Sequence, residues 1–306
     1  MSKIAFIFPG QGAQKAGMGK DFYENSKTAA EVIDRASELL GLDMKALCFE
    51  ENDLLDKTEY TQVAMVTACL AMTRAVESMG LHADMTAGLS LGEYCAIAVA
   101  GGMCDLDAIR TVRSRGIFME HAAPEGSGAM SVVLGMDASV IENVLNGREG
   151  VSIANYNCPG QIVITGEAAA VAEAGTALKE AGARRVLPLK VSGPFHSPMM
   201  RPAGEELAKV FARVSMNPLK IPYVANINAE VITDCGRIEG LLVDQVSGSV
   251  RWQQSVETMI REGVDTFVEI GPGKTLTGFL RKIDKNVKAY HIGSWEEAVQ
   301  VCEELK

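Results

Sequence analysis

No stretch of the sequence approaches the roughly 18–20 consecutive apolar residues that a bilayer-spanning helix needs, so no membrane anchor is expected. The one apolar run near the start, Ala5 to Phe8, follows a single Lys and stops at Pro9, too short for a secretory signal. Positive charge is scarce: 29 Lys and Arg against 39 Asp and Glu leave a net charge of −10. An acidic surface repels nucleic acid and anionic lipid alike, so neither is an expected partner. The 7 cysteines are odd in number and include no C-x-x-C pair, which excludes a disulfide framework and predicts reduced thiols in a cytoplasmic protein. The 4 histidines are scattered; no His/Cys/Asp cluster has metal-ligand spacing, and neither metal nor cofactor is expected. Repeats and low-complexity linkers are absent as well.

What remains is ordinary in bulk. Apolar residues at 47% and charged residues at 22% describe a folded chain, and 306 residues suffice for one large core or a core plus a subdomain. Lys3 to Phe8 reads as a strand ending in the turn Pro9-Gly10-Gln11-Gly12, and 21–79 is mostly helical in its spacing. Residues 81–87 form a short strand, Leu91 to Ala100 a buried helix, and Asp105 is the expected N-cap of another helix. Strands 129–134, 151–156, 161–165 and 184–189, with helices 137–145 and 167–181, follow in the order βαββαβ, that of a ferredoxin-like unit. A parallel pattern then resumes through strand 223–227, helices 241–246 and 254–262, strand 266–270 and the pieces 275–283, 287–292 and 295–305. The predicted fold is α/β. A large, α/β-hydrolase-like subdomain with a parallel sheet (1–124 and 192–306) is interrupted by an inserted ferredoxin-like small subdomain (125–191).

Gly88-Leu89-Ser90-Leu91-Gly92 is a G-x-S-x-G pentapeptide between the predicted strand and helix. A serine on such a strand-to-helix corner stands clear of its neighbours, and the amide after it can face a developing oxyanion. A Gly-rich junction can also hold a serine by chance. The nucleophile needs a base. His82 lies before the strand, at the end away from Ser90; His121 closes a helix, where its charge suits the C-terminus; His291 sits in a late strand as a core or edge residue. His196, in the loop Ser192-Gly193-Pro194-Phe195-His196-Ser197-Pro198, occupies the setting in which catalytic groups concentrate. Asp234, Asp244 and Asp265 are available as a third member, but a backbone carbonyl would hold the imidazole tautomer equally well. Gly10-Gln11-Gly12 is either a simple tight turn or the donor of a second oxyanion amide. Gly271-Pro-Gly-Lys-Thr is not a phosphate loop, because the required first glycine is Val268.

These motifs, with Arg115-Gly116, Phe195-His196 and Gln245 followed by Val250-Arg-Trp252, agree in order and spacing with one family over almost the whole length. The chain resembles the malonyl-CoA:acyl carrier protein transacylases, the stand-alone acyltransferases of dissociated fatty acid synthesis. The resemblance implies malonyl-CoA and an acyl carrier protein as partners and a malonyl-serine intermediate on Ser90. His196 would be base and then acid, held by the main-chain carbonyl of Gln245, with the amides of Gln11 and Leu91 as the oxyanion hole. Arg115, chosen over Arg110 and Arg113 by the resemblance alone, would pair with the free malonyl carboxylate, for which a guanidinium fork is suited. Phe195 resembles the bulky residue that leaves less room for a 2-methyl branch. Leu89 stands where many relatives have His, and Gly248-Ser249 where Asn-Pro is common, which leaves that loop's shape open. An acidic carrier would need a local basic patch, for which Lys179, Arg184, Arg185 and Lys190, or Lys274, Arg281, Lys282 and Lys285, are candidates. A polyketide pathway, a serine thioesterase and a non-catalytic docking module are the other readings.

Overall fold

The structure, a computed structural model, describes residues 2–305. Strand β1 (Ile4–Phe8) has four of its five residues buried, an apolar run as expected of a strand covered on both faces. It pairs in parallel with β2 (Met85–Gly88) on one side and β9 (Thr266–Ile270) on the other. The sheet continues through β10 (Lys288–Ile292) at one edge and β7 (Tyr223–Val224) and β8 (Val231–Ile232) at the other, in the order β10-β9-β1-β2-β7-β8. Helices α1 (Lys20–Asn25), α2 (Lys27–Leu40), α3 (Met44–Phe49) and α4 (Thr58–Ser78) account for the helical stretch between β1 and β2. Helix α5 (Gly92–Val99) is buried at all eight positions, so its apolar character on every side is that of a central helix.

The second sheet is antiparallel: β3 (Gly128–Leu134), β4 (Val151–Cys158), β5 (Gln161–Glu167) and β6 (Arg185–Pro188) in the order β4-β5-β3-β6. Helices α7 (Ala138–Leu145) and α8 (Ala168–Glu180) supply its own core with Ile141, Val171 and Leu178 against Val133, Ile162 and Ile164. The small sheet is tied to the loop before the helix at Trp252, where Val250 exchanges backbone hydrogen bonds with Ala154 and Tyr156 at 2.7 and 2.9 Å. Ser249 Oγ adds a bond to the Ile153 carbonyl at 2.6 Å. Gly248 is extended there, and a Cβ would fall 2.9 Å from the Asp244 carbonyl oxygen, which is backbone, as well as against the tip of Ile227.

Three local expectations need correction. The strand into Ser90 begins at Met85, not at 81, because Asp84 caps the ladder with both its backbone and its side chain on Ile4. The helix α6 (Asp105–His121) is capped by Cys104, whose sulfur accepts the Asp107 amide, while Asp105 turns to bind Arg74. The expected strand over 223–227 stops at Val224: Ala229 takes φ 56° and the chain reverses into β8, so the large sheet is mixed rather than wholly parallel.

Candidate active site

Phe8 and Gly88 are register partners at the ends of adjacent parallel strands, so the Gly10-Gln11-Gly12 turn and the Ser90 corner emerge side by side. The corner is built by contact. A Cβ on Gly88 would lie 2.0 Å from the Gly92 carbonyl, and one on Gly92 would lie 2.3 Å from the Phe8 oxygen. Ser90 itself holds φ 51°, a left-handed conformation that strains an L residue and turns its hydroxyl outward.

His196 reaches this hydroxyl from the loop after β6, and it too is left-handed, with φ 61°. Its Nε2 lies 2.7 Å from Ser90 Oγ, and its Nδ1 lies 2.9 Å from the main-chain oxygen of Gln245, on α10 (Ile238–Ser247). The carbonyl can only accept, so Nδ1 carries the proton and Nε2 presents a lone pair to the serine. Burial, with the nearby Arg115 charge second, lowers the imidazole pKa to about 4, so the ring is neutral at pH 7. Asp234, Asp244 and Asp265 take no part in holding it: the carbonyl occupies the third position.

Arg115 is 1% exposed. Its Nη1 donates to Gln62 Oε1 at 2.8 Å, and its Nη2 donates to Gln245 Oε1 at 3.0 Å and to Ser90 Oγ at 3.3 Å. Every acceptor is a neutral oxygen. Arg110 and Arg113 point elsewhere, the former to Asp107 and the latter to Glu59 and over the Tyr60 ring. A cleft of about 820 Å³ opens over the group, lined by Gln11, Leu91 and the buried Phe195 as well as Ser90, Arg115 and His196. Neither the Gln11 nor the Leu91 amide donates to another group among the described residues, and the Gln11 side chain is tied back to Thr58. The other histidines lie apart: His82 is exposed ahead of β2, His121 ends α6, and His291 on the edge strand bonds the Gly271 carbonyl.

Sequence reasoning missed an inner ring. Asn226 Oδ1 accepts the Ser90 amide at 2.6 Å, and its Nδ2 donates to the Gly88 carbonyl at 2.7 Å. The Gln245 side chain donates to the Ser90 carbonyl at 2.9 Å and to Glu93 Oε2 at 2.7 Å. Gln62 was unmarked and sits among other polar residues of α4, whereas Glu93 is the one charged side chain of an apolar helical stretch, and that was a readable signal.

The family described as acyl transferase domain matches residues 5–300. The malonyl CoA-acyl carrier protein transacylase of Bacillus subtilis (strain 168) is 43% identical over 311 residues, covering 100% of this chain and 98% of the relative. The chain belongs to the acyl transferase family. Among solved members, the malonyl CoA-acyl carrier protein transacylase of Clostridium perfringens ATCC 13124 superposes with a TM-score of 0.96 at 41% identity, covering 99% of this chain and 97% of that one. The MCAT of Streptococcus pneumoniae gives 0.95 at 44% identity, with 99% and 100% covered. In this chain the serine, the imidazole and the buried cation meet at one cleft.

Proposed function

We propose that this chain transfers the malonyl group from malonyl-CoA to the phosphopantetheine thiol of an acyl carrier protein, supplying fatty acid synthesis. The observation that carries the reading is Arg115, a buried cation whose three acceptors are all uncharged and which reaches within 3.3 Å of the nucleophile. A buried charge without a counter-ion is costly, and the free carboxylate of a malonyl thioester is the missing partner. A plain acetyl group would leave it unpaired, so the same residue supplies selectivity.

Ser90 Oγ attacks the thioester carbon while its proton passes to His196 Nε2. The amides of Gln11 and Leu91 receive the oxyanion. Collapse breaks the carbon–sulfur bond, and His196 returns the proton to the departing coenzyme A thiolate. The carrier's thiol then attacks the malonyl-serine ester by the same steps in reverse, its proton taken by His196 and given back to Ser90. Phe195 on the cleft wall narrows the space beside the acyl α-carbon. The scaffold reading is an α/β-hydrolase-like body (1–124 and 192–306) with an inserted ferredoxin-like subdomain (125–191), supported by the antiparallel strand order β4-β5-β3-β6 and its separate core. Five of the seven cysteines are buried, which fits thiols kept reduced in the cytoplasm; among the described residues no helix is long and apolar enough to cross a membrane.

The test is intact-mass analysis after mixing with malonyl-CoA, acetyl-CoA and methylmalonyl-CoA separately. A malonyl adduct on Ser90 that passes to a holo carrier is expected. Equal labelling by acetyl-CoA, or an adduct lost to water as fast as to the carrier, would overturn the assignment.

A further inference from the structure

Glu93 is the one charged side chain on α5, and it is 0% exposed. Its Oε2 accepts Gln245 Nε2 at 2.7 Å and the Asn226 amide at 3.2 Å. Those two residues in turn hold the reacting groups. Gln245 gives its carbonyl to His196 and its side-chain oxygen to Arg115, and Asn226 accepts the amide of Ser90. We propose that Glu93 is a positioning residue for the transfer, fixing His196 and Arg115 through Gln245 and the strained Ser90 turn through Asn226. This rests on the reading above in so far as Arg115 is taken as the partner of the substrate carboxylate.

The geometry also says in which form Glu93 works. No cationic nitrogen bonds its carboxyl among the described residues, and its Oε1 is buried without a partner. The titratable groups facing it are Arg115 from α6, Tyr94 from its own helix and Tyr223 from β7. Burial outweighs the bonds from Gln245 and Asn226 and the Arg115 charge, and pushes its pKa up to about 8. The neutral acid leaves the Arg115 charge for the substrate. Ionised, it becomes a resident counter-charge that competes with the malonyl carboxylate.

The experiment compares wild type, E93A and E93Q by two readouts: labelling of Ser90 with a fluorophosphonate, which needs no acyl donor, and Ser90 acylation as a function of malonyl-CoA concentration from pH 7 to 9. Glutamine keeps an acceptor for Gln245 and Asn226 and cannot ionise. E93A is expected to lose about a hundredfold in both rates, the cost of a displaced base and cation, and E93Q to stay within about threefold at pH 7. The malonyl-CoA concentration for half-maximal acylation should rise above pH 8 in wild type and stay level in E93Q. An E93A that labels like wild type, or an E93Q as slow as E93A, overturns the proposal. If E93A does not fold, the pH comparison decides: a level wild-type profile, or an E93Q profile that rises with it, overturns it. A wild type labelled by the fluorophosphonate but not by malonyl-CoA would sink the functional reading alone, leaving the comparison of variants intact.

Discussion

Ser90 and His196 both sit in left-handed backbone, a conformation that costs a non-glycine residue about 1–3 kcal/mol. The inner ring of hydrogen bonds enforces it at Ser90, and the strain is stability held at the reacting atoms. Ser90→Ala and Ser90→Gly should each abolish acylation, yet differ in stability: the glycine variant should unfold at higher urea concentration, by about 1 kcal/mol. Equal midpoints would mean that the corner is unstrained. The lowered His196 pKa gives a second prediction. Acylation measured against pH should be half-lost near pH 4 rather than near 6.5, because the imidazole stays neutral until then. The stability contribution has the matching sign: complete above the unfolded value of 6.5, it is lost as pH falls toward 4. Ser90 was legible in its G-x-S-x-G corner and His196 in its loop setting, whereas Arg115 stood out from Arg110 and Arg113 only through the family resemblance. Gln62 and Asn226 were not, and of Glu93 only its charge within an apolar helix showed, since their work is done by side chains that meet only after α4, α5 and the turn beyond β7 have packed.

At the scale of elements the corner between β2 and α5 is decided by steric room. A Cβ at position 92 has nowhere to go, because the Phe8 carbonyl is backbone of the central strand and cannot swing aside. Gly278, exposed inside α12 (Thr275–Ile283), has nothing within 4 Å of the same atom. Gly92→Ala should therefore destabilise by several kcal/mol or prevent folding, whereas Gly278→Ala should stabilise by about 0.5–1 kcal/mol through helix propensity. A pair of denaturation curves separates them, and similar midpoints would contradict the account. Long or fully buried elements such as α4, α5 and β1 could be read from periodicity and apolar runs. The two-residue strand β8 could not, and β7 was read too long: pairing, and the left-handed Ala229 between them, sets the end of one and creates the other where local sequence carries almost no signal.

The whole molecule must bring an acidic carrier to an acidic enzyme, so the attraction has to be local. The cleft supplies two lips. Lys190 lines it on the small-sheet side, just past the end of β6, at whose start Arg184 and Arg185 are exposed, and the exposed Leu187, Leu189 and Val191 lie along the same segment. Across the opening Lys282 on α12 reaches Gln161, another lining residue, at 3.4 Å. Basic groups on both sides of an opening, with exposed apolar side chains beside one of them, suit a small acidic protein that delivers a flexible prosthetic arm. Reversing Arg184, Arg185 and Lys282 to Glu together should raise the carrier's KM roughly tenfold or more, with the effect shrinking as salt is added. Acylation of Ser90 by malonyl-pantetheine, which lacks the nucleotide phosphates of coenzyme A, should be unchanged in the same variant. A carrier KM that does not move would place docking elsewhere on the surface, and a loss of acylation by the small donor would show that the charges support the site rather than the encounter.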